Sequence, residues 1–179
     1  TPSSGGMTEA QARQIGLSLC RVLRRLHSQD PPIIHRDIKP QNVVLGEDGR
    51  VWLIDFDISR RYSRGAPADT VSSGARDCAA PGQYGFARTD CRSDIFSLGV
   101  LLYWLVTGRT KVGEASAGSL DRCIRRCTAF DPERRYRSVA AVERGLRASG
   151  RRRGGLAVAI LAAVILFCGA GAWLLASGT

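Results

Sequence analysis

Apolar and polar positions change rhythm several times along the chain, and each change marks an element. Thr8 followed by Gln11 has the spacing of a capping box, in which each side chain satisfies an amide left open at a helix start. Ile15, Leu19, Val22, Leu23 and Leu26 recur at helical spacing on one face, which predicts an amphipathic helix that ends by Pro31 and Pro32. His27, at its end, reads as a solvated side chain. Val43-Val44-Leu45 and Val51-Trp52-Leu53-Ile54 are short apolar runs flanking Gly46-Glu47-Asp48-Gly49, the pattern of a small hairpin. From about 59 to 85 the chain is rich in Gly, Ser, Ala and Pro without a usable period, and so long a loop inside a compact domain is usually functional or mobile. Asp94 to Thr107 is apolar on nearly every face and is followed by Gly108 as a C-cap, which predicts a core helix too short to span a bilayer. Two more helices are predicted over 119–127 and 138–148, joined at the Asp131-Pro132 turn. Trp52 and Trp104 are expected in the core or half-buried at its edge.

The end of the chain is different. Residues 156–176 form a run of 21 without a charge, and at helical rise they extend roughly 30 Å, the thickness of a bilayer's hydrocarbon core. Arg144, Arg147 and Arg151 to Arg153 precede the run, while only Ser177, Gly178 and Thr179 follow it. The positive-inside rule then predicts a single-pass membrane protein whose folded part faces the cytoplasm. The expected layout is a linker or frayed end over 1–7, one folded domain over 8–148, a basic juxtamembrane segment over 149–155, the transmembrane helix over 156–176 and a tail over 177–179.

Charge sharpens this picture. The 179 residues carry 26 Lys and Arg against 16 Asp and Glu, a net charge of +10, and the only lysines are Lys39 and Lys111. Such a balance suits nucleic acid, an anionic membrane surface or a phosphorylated ligand. No basic patch interleaved with aromatics supports nucleic acid, whereas the arginines beside the apolar run favour membrane lipid. The six cysteines (Cys20, Cys78, Cys91, Cys123, Cys127 and Cys168) show no metal-ligand spacing, and a reduced compartment without a disulfide framework is expected.

The stretch His35-Arg36-Asp37-Ile38-Lys39-Pro40-Gln41-Asn42 carries the chemistry, together with Asp55-Phe56-Asp57 beyond the hairpin. Moving a phosphoryl group needs a carboxylate near the attacking hydroxyl, positive charge on the phosphoryl oxygens and oxygen ligands for a hard cation. An acid, a lysine and an amide stand within six residues here, and a hairpin can return a second acid to the same point. These residues resemble the catalytic loop and, with one change, the magnesium-binding triplet of the protein kinase family.

More of the family's pattern follows in order. Ala80-Pro81-Gly82 stands where the activation segment ends, and Asp94 leads an apolar helix like the family's central one. Phe130-Asp131-Pro132-Glu133-Arg134-Arg135-Tyr136 resembles the motif near the end of the lobe. The similarity, from about Thr8 to Leu146, is to bacterial-type serine/threonine kinases, since Lys39 two places after Asp37 marks serine/threonine specificity. It implies a mainly α fold: a kinase-like C-terminal lobe, helical with a small β-hairpin, to which the transmembrane helix is added. It also implies ATP and Mg2+ as cofactors and proteins as substrates; separately, a homodimer is an expected partner. By the match, Asp37 is the catalytic base and Lys39 stabilises the γ-phosphate. Asn42 and Asp55 bind magnesium, Asp94 braces the loop and Arg135 is a structural partner near the lobe's end. Arg36 beside Asp37 implies a phosphate held in the activation loop, with Thr70, Ser72 and Ser73 as candidate phosphorylation sites.

The sequence also departs from that pattern. The 36 residues before Asp37 contain no lysine and no glycine-rich loop after a strand, so the N-terminal lobe is expected to be absent from the chain, which alone should be nearly inert. Asp57 replaces the triplet's glycine, Ala75 replaces a threonine, and Gly82 replaces a glutamate that pairs with the arginine at Arg135. The absent N-terminal lobe, Ala75 and Gly82 motivate a second reading, a membrane-tethered pseudokinase that acts as a scaffold.

Overall fold

A computed structural model of the chain describes residues 6–57, 59–61 and 90–150, with Arg60 and Arg61 described by backbone alone. The apolar run 156–176, the candidate phosphorylation sites Thr70, Ser72 and Ser73, and Ala75 and Gly82 lie outside the described residues. Among the described residues no helix is long and apolar enough to cross a membrane.

The first helix, α1 (Glu9–His27), opens with the capping box: Gln11 donates its amide N–H to the Thr8 hydroxyl at 3.3 Å, and Thr8 donates its own to the Gln11 side chain at 3.0 Å. Its apolar stripe buries Ala12, Ile15, Leu19 and Leu23, while Val22 and Leu26 pack half-buried at the edge of the core. Strand β1 (Ile33–Ile34) follows. β2 (Val43–Leu45) and β3 (Val51–Leu53) form the hairpin, in antiparallel register with Val43 opposite Leu53 and Val44 opposite Trp52. The two-residue strand β4 (Arg60–Arg61) returns to pair with β1.

Helix α2 (Cys91–Thr107) is the axis of the lobe, buried on most of its surface and packed against α1 and α3 (Asp121–Cys127). It starts three residues earlier than the apolar pattern suggests, because the Asp90 carboxylate accepts the Arg92 N–H at 2.7 Å and caps it. Asp94 therefore lies inside the first turn. Gly108 ends the helix in the left-handed conformation, with φ +70. Gly99 is required for packing: a Cβ there would stand 2.5 Å from the Cys127 Cβ, so only glycine lets α2 and α3 approach this closely. The last helix, α4, is described over 139–150, and Leu146 completes the core with Leu102, Leu120 and Ile124. Burying one such leucine or isoleucine contributes roughly 1.5–3 kcal/mol, so this helical core carries most of the lobe's stability.

The expected mainly helical lobe with a small hairpin is what the described residues form. Two aromatic placements differ from each other. Trp104 is half-buried against the core as expected, but Trp52 is 54% exposed. Strand alternation explains the correction: Val43 and Leu53 take the inward face, which sends Val44 and Trp52 outward. The described cysteines, Cys20, Cys91, Cys123 and Cys127, are all free thiols. Burial pushes the Cys20 thiol up to about 12, consistent with a packing role rather than reactivity.

Candidate active site

β1 delivers the chain into the loop that begins at His35. The loop is pinned from the core by Asp94, whose side chain is fully buried. The carboxylate accepts the His35 N–H at 2.9 Å on Oδ2 and the Arg36 N–H at 2.8 Å on Oδ1. A buried carboxylate without such donors would cost several kcal/mol, so α2 and the loop hold each other in place. With both amides fixed, Arg36 adopts φ +71, a conformation that costs about 1 kcal/mol or more in a residue other than glycine.

A third group completes this contact. His27 Nε2 lies 2.8 Å from Asp94 Oδ2. Burial is the largest single influence and opposes charge on this imidazole, but the hydrogen bonds to Asp94 and Cys91 and the Asp94 charge together outweigh it and push the pKa up to about 9. At neutral pH the two side chains are therefore an ion pair. This corrects the expectation that His27 is merely solvated. A signal was present in the sequence: an acid on a helix buried all round must find donors, and His27 is one of only two histidines.

Beyond Arg36 the polar groups converge. Asp37 is buried at 8% exposure, and its Oδ2 receives the Lys39 ammonium at 2.6 Å and the Asn42 side-chain amide at 2.9 Å. The same Asn42 nitrogen donates to the Asp37 carbonyl at 2.9 Å. A single 3-10 turn, Pro40–Asn42, makes this possible by folding Asn42 back over the loop. Because both acceptors of Asp37 require the nitrogen of the amide, the Asn42 oxygen is the atom left for a cation. The Asp37 N–H donates to His35 Nδ1 at 3.3 Å, and burial lowers the His35 pKa, so the ring is a neutral acceptor. It meets the Phe56 ring at 68°, with ring centroids 4.6 Å apart.

The hairpin brings Asp55 to the same corner. The Ile54 N–H donates to the Asn42 carbonyl at 2.9 Å, which ties the end of β3 to the loop. Asp55 follows at once, exposed and in the left-handed region at φ +65, and the charges of both Asp37 and Asp55 reach His35. The Asp57 N–H reaches the Asp55 carboxylate at 3.5 Å, and Asp57, the aspartate in place of glycine, is exposed. Asp37, Lys39 and Asn42 are thus in direct contact, and Asp55 joins them through Ile54 and Phe56.

The remaining sequence candidates divide. Arg135 is buried at 3% exposure and its guanidinium donates to the carbonyls of Ala129 (2.7 Å), Phe130 (3.1 Å) and Arg92 (3.2 Å) while lying over the Phe96 ring. Burial lowers its pKa, and among the described residues it makes no ion pair. Three carbonyl acceptors offset part of the cost expected when no glutamate faces it. Arg36 borders the site, but the loop whose phosphate it is expected to meet lies outside the described residues.

Residues 2–143 match the family model described as the protein kinase domain. The chain belongs to the protein kinase family. It is 37% identical over 105 residues to a probable serine/threonine-protein kinase of Clostridium perfringens, covering 58% of this chain and 15% of that protein. It is 36% identical over 108 residues to the probable serine/threonine-protein kinase PknB of Corynebacterium glutamicum (59% and 16%). It is 38% identical over 89 residues to serine/threonine-protein kinase PknL of Mycobacterium tuberculosis (49% and 22%). The matched stretches span less than a quarter of the length of these relatives.

Protein kinases generally use ATP and Mg2+, and the donors here suit that ion. Among the described residues no three His, Cys, Asp or Glu side chains cluster closely enough to hold a metal by themselves. The Asn42 oxygen and the exposed Asp55 carboxylate are a partial set of hard donors, which magnesium completes with phosphate oxygens and water.

Proposed function

We propose that this chain carries the phosphoryl-transfer lobe of a serine/threonine protein kinase, which moves the γ-phosphate of ATP to serine or threonine hydroxyls of cytoplasmic proteins. The observation that carries this reading is the Asp37 carboxylate, with Lys39 and Asn42 both on Oδ2, in a loop fixed by Asp94. With Oδ2 engaged twice, Oδ1 is the oxygen left to accept the proton of an attacking hydroxyl. Lys39, 2.6 Å from that carboxylate, is placed to balance negative charge developing on the transferred group. Asn42 and Asp55 would hold magnesium, which neutralises charge on the phosphate oxygens when bound. His35 remains neutral and shapes the loop.

The uncharged run 156–176 and the arginines before it support a single-pass tether in membrane lipid, with the lobe in the cytoplasm. Confinement to a membrane raises the local concentration of copies, which favours a homodimer.

The test uses the protein expressed from its whole genomic reading frame, including whatever lies upstream of Thr1. Phosphate incorporation from magnesium-ATP is expected to fall by about a hundredfold or more in Asp37→Asn. Equal incorporation by both proteins would end the catalytic reading and favour a pseudokinase scaffold.

A further inference from the structure

Two helices remote in sequence carry an arginine surface that the phosphoryl-transfer reading leaves unused. α1 and α4 lie antiparallel, as three contacts show. Arg24 meets Glu143 at 3.4 Å, a Cβ at Gly16 would stand 3.1 Å from Leu146, and one at Gly150 would stand 3.1 Å from Arg13. On α1, Arg13, Arg21 and Arg24 follow one another at helical steps, and on α4 Arg144 and Arg147 do the same. Arg21, Arg24, Arg144 and Arg147 are exposed. The two helices contain only two acids, Glu9 and Glu143. Glu9 is engaged elsewhere, by Ser119, and Glu143 sits between Arg24 and Arg147 with Arg21 nearby. The pair is a cationic face with a single carboxylate near its middle.

The chain leaves this face at Gly150 and reaches the uncharged run at Leu156 after Arg151, Arg152 and Arg153. Six steps of extended chain cover at most about 20 Å, so the end of α4 is held near the edge of any bilayer that contains the run. From Gly150 back to Glu143 is about 10 Å along the helix axis, which places both arginine rows within a short tilt of the headgroups. Arginine, unlike lysine, meets phosphate and carboxylate groups with a planar fork of donors.

We infer that the α1–α4 face docks flat on an anionic lipid surface, with Arg21, Arg24, Arg144 and Arg147 against the phosphate and carboxylate groups of the lipids. This rests on the tethered reading above. Docking fixes which side of the lobe meets the membrane and so restricts how the loop at Asp37 is presented to its substrates.

The test uses the full chain in bilayer discs of phosphatidylcholine alone or with phosphatidylserine added, and reads phenylglyoxal modification of each arginine by mass spectrometry. Arg21, Arg24, Arg144 and Arg147 should be shielded in the anionic discs and not in the neutral ones, with Arg50 and Arg134 unchanged in both. High salt should erase the difference. Each arginine removed, as in Arg21→Gln or Arg144→Gln, should lower the docked-to-undocked ratio about fivefold, and Glu143→Gln should raise it by a similar factor. A chain held by both kinds of disc, with equal labelling of the four arginines, overturns the docking and keeps the tether. A chain lost from neutral discs but shielded on anionic ones sinks the tether and keeps the docking. Shielding by added RNA but not by lipid would overturn the proposal in favour of nucleic acid.

Discussion

The loop from His35 to Asn42 and the hairpin segment from Val43 to Asp57 adjoin in sequence and meet at one corner, yet their surfaces follow opposite patterns. In the loop, polar groups are buried and tied to named partners: Asp37 to Lys39 and Asn42, and the amides of His35 and Arg36 to Asp94. In the hairpin segment, apolar groups face outward: Val44, Trp52, Ile54 and Phe56 are all exposed, and so is Asp55. The lobe's core dictates the shape of the loop, whereas the hairpin is anchored only on its inner face, by Val43, Leu53 and the bond from Ile54 to Asn42, and its outer face rests on the ladder alone. Damage to the loop should therefore cost stability and chemistry together, and damage to the hairpin's outward side chains should leave stability nearly unchanged.

The largest effect is expected at Asp94. Asp94→Ala strips two backbone amides and the His27 charge of their shared acceptor, and should lower folding stability by about 3–5 kcal/mol. Urea midpoints of the two proteins measure this. A loss under about 1 kcal/mol would mean that the loop does not need its anchor.

Next comes His27, whose contribution depends on pH. Its pKa is raised from an ordinary 6.5 to about 9, so its ion pair with Asp94 stabilises the fold fully below 6.5 and loses that benefit as pH rises through about 9. His27→Gln should cost about 2–3 kcal/mol at pH 6, and the gap from the parent protein should narrow steadily toward pH 9.5. Paired denaturation curves across that range give the answer. A gap that widened with pH would invert the sign and refute the ion pair.

These two residues also show what the chain made legible. Asp94 was legible through the resemblance to the kinase family's central helix, and Asp37, Lys39, Asn42 and Asp55 because their types and spacing suit phosphoryl transfer. α1 and the hairpin could be read because each has a clean period and a stop signal, and α2 because a continuous apolar run ends at Gly108. His27 could not be read in the same way. Its role comes from the last turn of α1 passing over the first turn of α2, 67 residues away in sequence, and no local pattern encodes that contact. Trp52 was misjudged for a related reason. A run such as Val51-Trp52-Leu53-Ile54 is apolar at every position, so composition suggests burial, while alternation in the folded strand puts only Leu53 fully inside.

On the hairpin side, Asp55→Asn tests the separation of chemistry from stability. Asparagine tolerates the left-handed conformation that Asp55 adopts at φ +65, and the side chain is exposed, so stability should move by no more than about 0.5 kcal/mol. Phosphate transfer by the protein from the whole reading frame should still fall by about a hundredfold or more, because a neutral amide replaces the charged ligand proposed for the metal. A matching loss in both measurements would place Asp55 with the buried loop instead.

The smallest effect is expected at Trp52, where intuition about tryptophan predicts the opposite. Large aromatic side chains removed from a core typically cost about 3–5 kcal/mol. Trp52 is 54% exposed, and its neighbour across the ladder, Val44, is exposed as well. Threonine keeps the β-branching that suits a strand and removes only the part of the ring that rests on the hairpin. Trp52→Thr should therefore change stability by about 0.5 kcal/mol or less, read from urea midpoints with an unchanged slope. A loss above about 2 kcal/mol would show that this face is covered in solution, and the contrast between buried loop and open hairpin would then fail on the hairpin side.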